Sequence, residues 1–499
     1  MEFGAAITLA LYFIVMLGIG VYSYRITAND VSGYMLGGRN LSPSVTALSA
    51  GASDMSGWML MGLPGALYLS GMSSAWIAIG LLIGALLNYL VVAPRLRVYT
   101  EVARDALTIP DYLEKRFDDK TRLLRLLSAV VIVLFFTLYT SSGVVAGGKL
   151  FESAFGMSYY SGLYVTAGVV VAYTVFGGFL AVSTTDFVQG CIMFVALILV
   201  PLVALTEVGG VTEVKSIITT IDPNMLSLFS GTTLLGVLSA MAWGLGYFGQ
   251  PHIIVRFMAI RSLQDVSAAR NIGMSWMIVT LIGALATGLV GLAYVQKTGI
   301  QLADAETIFI LLSQILFHPL VAGFLLAAIL AAIMSTISSQ LLVTSSSLAG
   351  DFYHMLLRRN ASQKELVLVG RISVVIIALV AIALAYDRES TILSLVSNAW
   401  AGFGAAFGPV IILSLYWKRM TLAGAISGMT VGTTTVLFWI NAPMTINGQS
   451  LSSVMYEIVP GFILCTLTIL LVSRFSKAPS GIVAEQFDEM EKQISSLGK

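Results

Sequence analysis

The chain has 499 residues, of which 57% are hydrophobic and 11% charged; its formal net charge is +1 and its mean hydropathy +0.90. Soluble domains carry about 25% charged residues, so this is the composition of an all-α polytopic protein with the lipid bilayer as its solvent. The balanced charge excludes a nucleic-acid binder, which needs a concentrated basic face, and two cysteines, Cys191 and Cys465, both in apolar stretches, do not make a disulfide framework.

A membrane helix needs about 20 mostly apolar residues. Thirteen stretches qualify, near 5–24, 44–70, 73–94, 124–148, 159–180, 187–206, 231–251, 273–296, 319–349, 367–386, 391–416, 422–440 and 455–473. The start, Met1-Glu2-Phe3-Gly4, lacks the basic region of a cleaved leader, so the first stretch is expected to remain as a helix. Of the 27 lysines and arginines, all but Lys149, Lys215, Lys297 and Arg388 fall in loops on one side of an odd number of spans. Basic loops stay cytoplasmic, which predicts an outside N-terminus and an inside C-terminus.

The second stretch holds the most informative octet, Gly51-Ala52-Ser53-Asp54-Met55-Ser56-Gly57-Trp58. A charge at that depth costs about 2.5–3.5 kcal/mol on insertion scales and is kept for a reason. Flanking glycines weaken the helix and can free carbonyls beside the acid, as a cation site requires. The loop after the third stretch and the start of the sixth add polar signals. Ser183-Thr184-Thr185-Asp186 with Gln189 reads as a helix N-cap with its capping partner.

The seventh stretch contains Trp243-Gly244-Leu245-Gly246-Tyr247-Phe248-Gly249-Gln250-Pro251, where three glycines and a proline interrupt a helix. The match to a G-x-G-x-x-G dinucleotide fingerprint lacks the βαβ context that motif needs. Interrupted helices at matching places in two halves point to an inverted-repeat transporter, here spans 2–6 and 7–11. Thr307 to Phe317 reads as a short helix in an external loop. The ninth stretch offers Ser335 and Thr336, whose hydroxyls serve either close helix packing or a hard, weakly held cation. No lysine or arginine is placed deep in any span. His252, His318 and His354 read as boundary residues, and Asn360-Ala361-Ser362 fits a glycosylation acceptor on the cytoplasmic side. The tail after Phe475 reads as solvated and amphipathic. Domain boundaries are set at 1–43, 44–208, 209–416, 417–475 and 476–499. No catalytic constellation appears, so an enzyme is not expected.

Several motifs resemble the sodium:solute symporter family: Tyr34 to Arg39, Thr46 to Gly65, Leu107 to Tyr112 with Arg116-Phe117, Trp243 to His252, Ala331 to Gln340, Ala399 to Pro409, and Trp417 to Thr421 with Gly424-Ala425. The resemblance implies a leucine-transporter-type fold with a five-plus-five inverted repeat, and sodium-coupled uptake of L-proline across the bacterial cytoplasmic membrane. It implies sodium held between breaks in spans 2 and 9 by the carbonyls of Ala52, Met55 and Ala332 and the hydroxyls of Ser335 and Thr336. Asp54, Asp186 and Arg39 would serve ion coupling. Ser56 and Gly57 would sit where ion and solute meet, and Trp58, Tyr139, Trp243, Tyr247 and Pro251 would line the solute pocket. Sodium is the only ion implied; no organic cofactor and no obligatory protein partner is. Another small solute such as pantothenate, or a solute-sensing receptor, are the alternative readings. Aromatic rings suit a compact zwitterion, by packing on its apolar ring and by cation–π attraction to its ammonium.

Overall fold

The computed structural model describes residues 3–26, 31–387, 391–479 and 481–497. Arg388 and Lys499, both counted in the charge asymmetry, lie outside the described residues. Among those described, ten helices are long and apolar enough to cross a bilayer, and two shorter apolar helices, Tyr159–Ala172 and Leu234–Gly249, coincide with the fifth and seventh stretches. Helices dominate because apolar surroundings offer no water to backbone N–H and C=O groups, which must then pair within the segment. Among the described residues the one small sheet is an antiparallel hairpin, Thr445–Ile446 with Gln449–Ser450. Asn447 and Gly448 turn it with φ of 52° and 80°, the backbone that an Asn-Gly hairpin turn demands; the sequence reading passed over it.

The second stretch is broken where the octet foretold. One helix, Pro43–Asp54, starts with Ser42 as its cap and proline in its first turn, and it stops at Met55 (φ −78°, ψ 51°). The chain resumes as a widened helical turn, Trp58–Gly62, and continues as Leu63–Ser70. The seventh stretch is also broken. Leu234–Met241 tightens into a 3-10 segment, Ala242–Gly249; Gln250 is extended, and a new helix runs Pro251–Ala259. Proline suits that first turn because its missing N–H is an orphan there anyway.

Four expectations are corrected. The seventh span does not end at residue 251 but continues to Ala259, which carries Arg256 into the interior with no exposed surface. Arg256 is therefore packed among the helices rather than placed in a loop, and it leaves the loop tally. The ninth span is not broken at its hydroxyl residues: Pro319–Ser346 is one continuous helix, followed by a widened turn, Ser347–Leu357. Asp186 caps nothing. The interruption in Tyr159–Val208 lies upstream at Gly178 (φ 60°, ψ −161°), so Asp186 is already inside a helix, and Gln189 donates to the Tyr12 hydroxyl instead. Its packing shows why: Tyr34 would lie 2.9 Å from a Cβ at Gly178. The tail is amphipathic as expected but not free in solvent. Ile482–Leu497 folds as a helix whose Val483, Phe487 and Met490 are buried.

The two broken helices are tied together. Leu41 and Ile260 form a parallel bridge, with Leu41 N donating to Ala259 O and Arg261 N to Leu41 O, each at 3.1 Å. Close approach also locks the seventh span onto the third: a Cβ at Gly84 would sit 2.2 Å from the Gly244 carbonyl.

Candidate ion and solute site

The oxygens come from the end of one helix and the face of another. In the continuous helix Pro319–Ser346, residues 332, 335 and 336 share a face because they are three and four apart. That face meets the broken end of Pro43–Asp54. Ser335 Oγ donates to Ala52 O at 2.7 Å and to Ala332 O at 3.1 Å; Thr336 Oγ1 lies 3.5 Å from Ala52 O and 3.2 Å from Ala332 O. All four residues are buried. Two carbonyls and two hydroxyls thus converge within hydrogen-bond reach of one another. An all-oxygen, uncharged set suits a hard monovalent cation that must leave again. Met55 supplies the turn at which the helix ends.

Asp54, the last residue of that helix, turns its carboxylate toward Tyr247. The Tyr247 hydroxyl donates to Asp54 Oδ2, while Oδ1 has no hydrogen-bond partner. The Asp54 carbonyl also gathers the polar ends of two aromatics, Trp58 Nε1 and Tyr139 Oη, both at 3.4 Å. Ser56 and Gly57 fill the break. A Cβ at Gly57 would lie 3.0 Å from Ala146 and 3.1 Å from Ile333, so the fourth and ninth spans press directly on the gap.

Three of the expected aromatics, Trp58, Trp243 and Tyr247, form one cluster with two that sequence reasoning missed, while the Tyr139 ring meets His252 at 6.0 Å. Trp58 and Trp243 have ring centroids 6.2 Å apart; Trp243 stacks on Tyr456 at 5.4 Å and Trp400 at 6.5 Å; Tyr247 meets Trp400 edge-on at 5.2 Å. Trp400 Nε1 donates to Trp243 O at 2.7 Å. Gly246 makes this possible, since a Cβ there would fall 1.9 Å from Trp400 Nε1. A lone tryptophan inside the small-residue run Ala399 to Pro409 was a signal for Trp400. Tyr456, at the start of the last stretch, gave none. Pro251 starts its helix and faces a different small cavity, shared with Met35, Phe179 and Ser346.

The two remaining coupling candidates sit apart from the oxygen cluster and from each other. Asp186 is buried against Ser49 Oγ (2.7 Å), Arg256 (3.1 Å) and Ser339 Oγ (3.3 Å), so it connects the second, sixth, seventh and ninth spans. Arg256 adds bonds to Ser49, Ser339 and the His252 carbonyl. His252 is itself fully buried, between Phe136 and Tyr139, not at a boundary. His318 does mark a boundary, as the N-cap of Pro319–Ser346. Arg39 lies at the entry of the second span. It pairs with Asp105 at 2.9 Å and donates to Met258 O at 2.7 Å and Ala106 O at 2.6 Å, fastening the bridge between the broken helices.

Comparison with known proteins follows the same lines. The model of the sodium:solute symporter family matches residues 34–432. The osmoregulated proline transporter OpuE of Bacillus subtilis (strain 168) is 57% identical over 98% of each chain. The high-affinity proline transporter PutP of the same organism is 58% identical over 96% of this chain and all of its own. Sodium/proline symporter 2 of Staphylococcus saprophyticus is 54% identical over 98% of this chain and 96% of its own. Among solved structures, a Na+-coupled sialic acid symporter in a substrate-bound outward-open state superposes with a TM-score of 0.81 at 19% identity, covering 96% of this chain and 99% of that one. Mhp1, a nucleobase-cation-symport-1 family transporter, superposes at 0.56 over 91% of this chain and 98% of its own. These likenesses show a shared transporter fold.

Proposed function

The chain belongs to the sodium:solute symporter family, and on that premise we propose that it carries L-proline into a bacterial cell together with sodium, by alternating access across the cytoplasmic membrane. In this reading the thirteen spans comprise one leading helix, inverted repeats at 44–208 and 209–416, and two trailing helices at 417–475, with the N-terminus outside and the tail 476–499 inside.

The observation that carries the reading is the convergence of Ala52 O, Ala332 O, Ser335 Oγ and Thr336 Oγ1 at a helix end whose next residues lead straight into the aromatic cluster. Without the ion the two hydroxyls donate to the two carbonyls, each bond contributing about 0.5–1.5 kcal/mol net. Sodium would accept lone pairs from all four oxygens and from the Met55 carbonyl, tying the broken helix to the ninth span more firmly. That fixes Ser56, Gly57 and Trp58, which lie on the solute side of the break. Proline's ring would pack on Trp58, Tyr139, Trp243 and Tyr247, and its ammonium would meet their π faces. By linkage, solute tightens sodium binding by the factor that sodium tightens solute binding. A membrane potential of about 100 mV adds about 2.3 kcal/mol of drive per charge moved.

The test is uptake of radiolabelled proline into proteoliposomes with and without an inward sodium gradient. Sodium-stimulated accumulation above the external level is expected. Equal uptake in both conditions overturns the reading. Competition by pantothenate stronger than by unlabelled proline reassigns the solute.

A further inference from the structure

A small cavity adjoins Asp54, on another face of the same helix. Ala47, Ala50, Gly51 and Asp54 recur at spacings of three, four and seven, so they share one stripe, whereas Ala52 points away from it. That stripe lines a cavity of about 30 Å³ closed by Asn88, Tyr89 and Tyr247. The volume is far below that of any amino acid but admits a dehydrated ion or a water. The remaining walls are apolar, and no lysine, arginine or histidine lines it.

Two of the lining residues carry buried acceptors. Asp54 is 2% exposed and Asn88 1%, and neither Asp54 Oδ1 nor Asn88 Oδ1 has a hydrogen-bond partner. Buried acceptors without a donor are costly, and a buried carboxylate without a counter-charge more so. The Tyr247 hydroxyl serves only Oδ2. Tyr89 directs its hydroxyl to the wall at Gly273, where a Cβ would lie 3.0 Å from Oη. Four oxygen-bearing side chains, one of them a carboxylate, therefore line an ion-sized space, while the other deep carboxylate nearby, Asp186, is paired with Arg256.

We propose that this cavity is a second station for the coupling cation, a dehydrated monovalent ion held by Asp54 Oδ1, Asn88 Oδ1 and the hydroxyl oxygens of Tyr89 and Tyr247. It fills in alternation with the Ala52–Ser335–Thr336 cluster. Alternation follows from charge: one uncommitted carboxylate balances one cation, and a second would leave net charge in a low-dielectric interior. The cavity's other walls come from Pro251–Ala259 and the first half of Asp265–Thr298, which places it between Asp54 and the cytoplasm in the orientation proposed above. The station thus lies on the release side. This inference rests on the sodium-coupled reading.

Equilibrium binding of radiolabelled sodium to the purified full-length protein tests it. Wild type is expected to bind one ion per chain. Ser335→Ala with Thr336→Val weakens binding by about tenfold or more but leaves a residual component. Adding Asn88→Leu, which keeps the branched shape and removes the oxygen, abolishes that component. Asn88→Asp supplies a second carboxylate and raises the capacity to two ions per chain, a gain that no misfolded variant can mimic. The proposal is overturned if the residual component is absent, if it survives Asn88→Leu, or if Asn88→Asp stays at one ion per chain, as when water alone satisfies the two acceptors. Proline uptake by wild type that ignores sodium overturns the transport reading, and it does so in a separate measurement.

Discussion

Asp186 and Arg256 show how a residue's meaning depends on its surroundings. Both are fully buried, joined at 3.1 Å, and they bring Ser49 and Ser339 into one network. Removing one member of a buried ion pair strands the other charge and costs about 3–5 kcal/mol, whereas replacing both with apolar groups of similar volume is often neutral. Arg256→Met is therefore expected to lower the thermal denaturation midpoint sharply, and the double variant Arg256→Met with Asp186→Leu to recover most of the loss. Scanning fluorimetry in detergent checks this. A double variant as unstable as the single one would mean that the pair's worth lies in its bonds to Ser49 and Ser339. Sequence reading found Asp186 but gave it a capping role, because Ser183-Thr184-Thr185 is good cap chemistry wherever a helix begins. It placed Arg256 in a loop, because Gln250-Pro251 ends most helices. Here the proline opens a new helix, and the arginine is carried inward.

At the scale of elements, the tail helix is the clearest departure from expectation. Its apolar residues recur at positions 483, 487 and 490, a helical stripe too short to stand out beside its many acids. Phe487 meets the Tyr99 ring at 6.2 Å and lies under the Arg116 guanidinium at 5.4 Å. Glu491 pairs with Arg95, and Asp488 with Lys418 at 2.6 Å. Arg95 also donates to Leu415 O at 2.9 Å and covers the Tyr416 ring, so the helix joins the ends of the third and eleventh spans. Phe487→Ala should cost about 3 kcal/mol of docking, the usual scale for emptying a buried aromatic site. Hydrogen exchange over 482–497 is expected to rise to that of a free helix while the spans stay protected. Unchanged protection would show that the ion pairs alone hold the tail. The broken helices, by contrast, were legible, since glycine and proline act through the backbone they belong to.

For the whole molecule, the charge pattern makes a prediction about sidedness. In an otherwise cysteine-free background, Thr220→Cys is expected to react with a membrane-impermeant maleimide on intact cells. Ser362→Cys should react only after the membrane is opened. Reversed labelling would invert the orientation. That pattern, the broken second and seventh spans and the helix-face spacing of Ala332, Ser335 and Thr336 were all readable in the sequence. Hydropathy, backbone chemistry and helical periodicity are local properties that survive without knowledge of what packs where. Tertiary structure alone decided that Asp54 turns to Tyr247 and leaves one oxygen facing Asn88, that Trp400 and Tyr456 complete the aromatic cluster, and that Arg256 answers Asp186. Those pairings join residues 34 to 213 positions apart in the chain. In a low-dielectric interior a charge or a lone pair takes its role from its partner, and the partner is chosen by the fold.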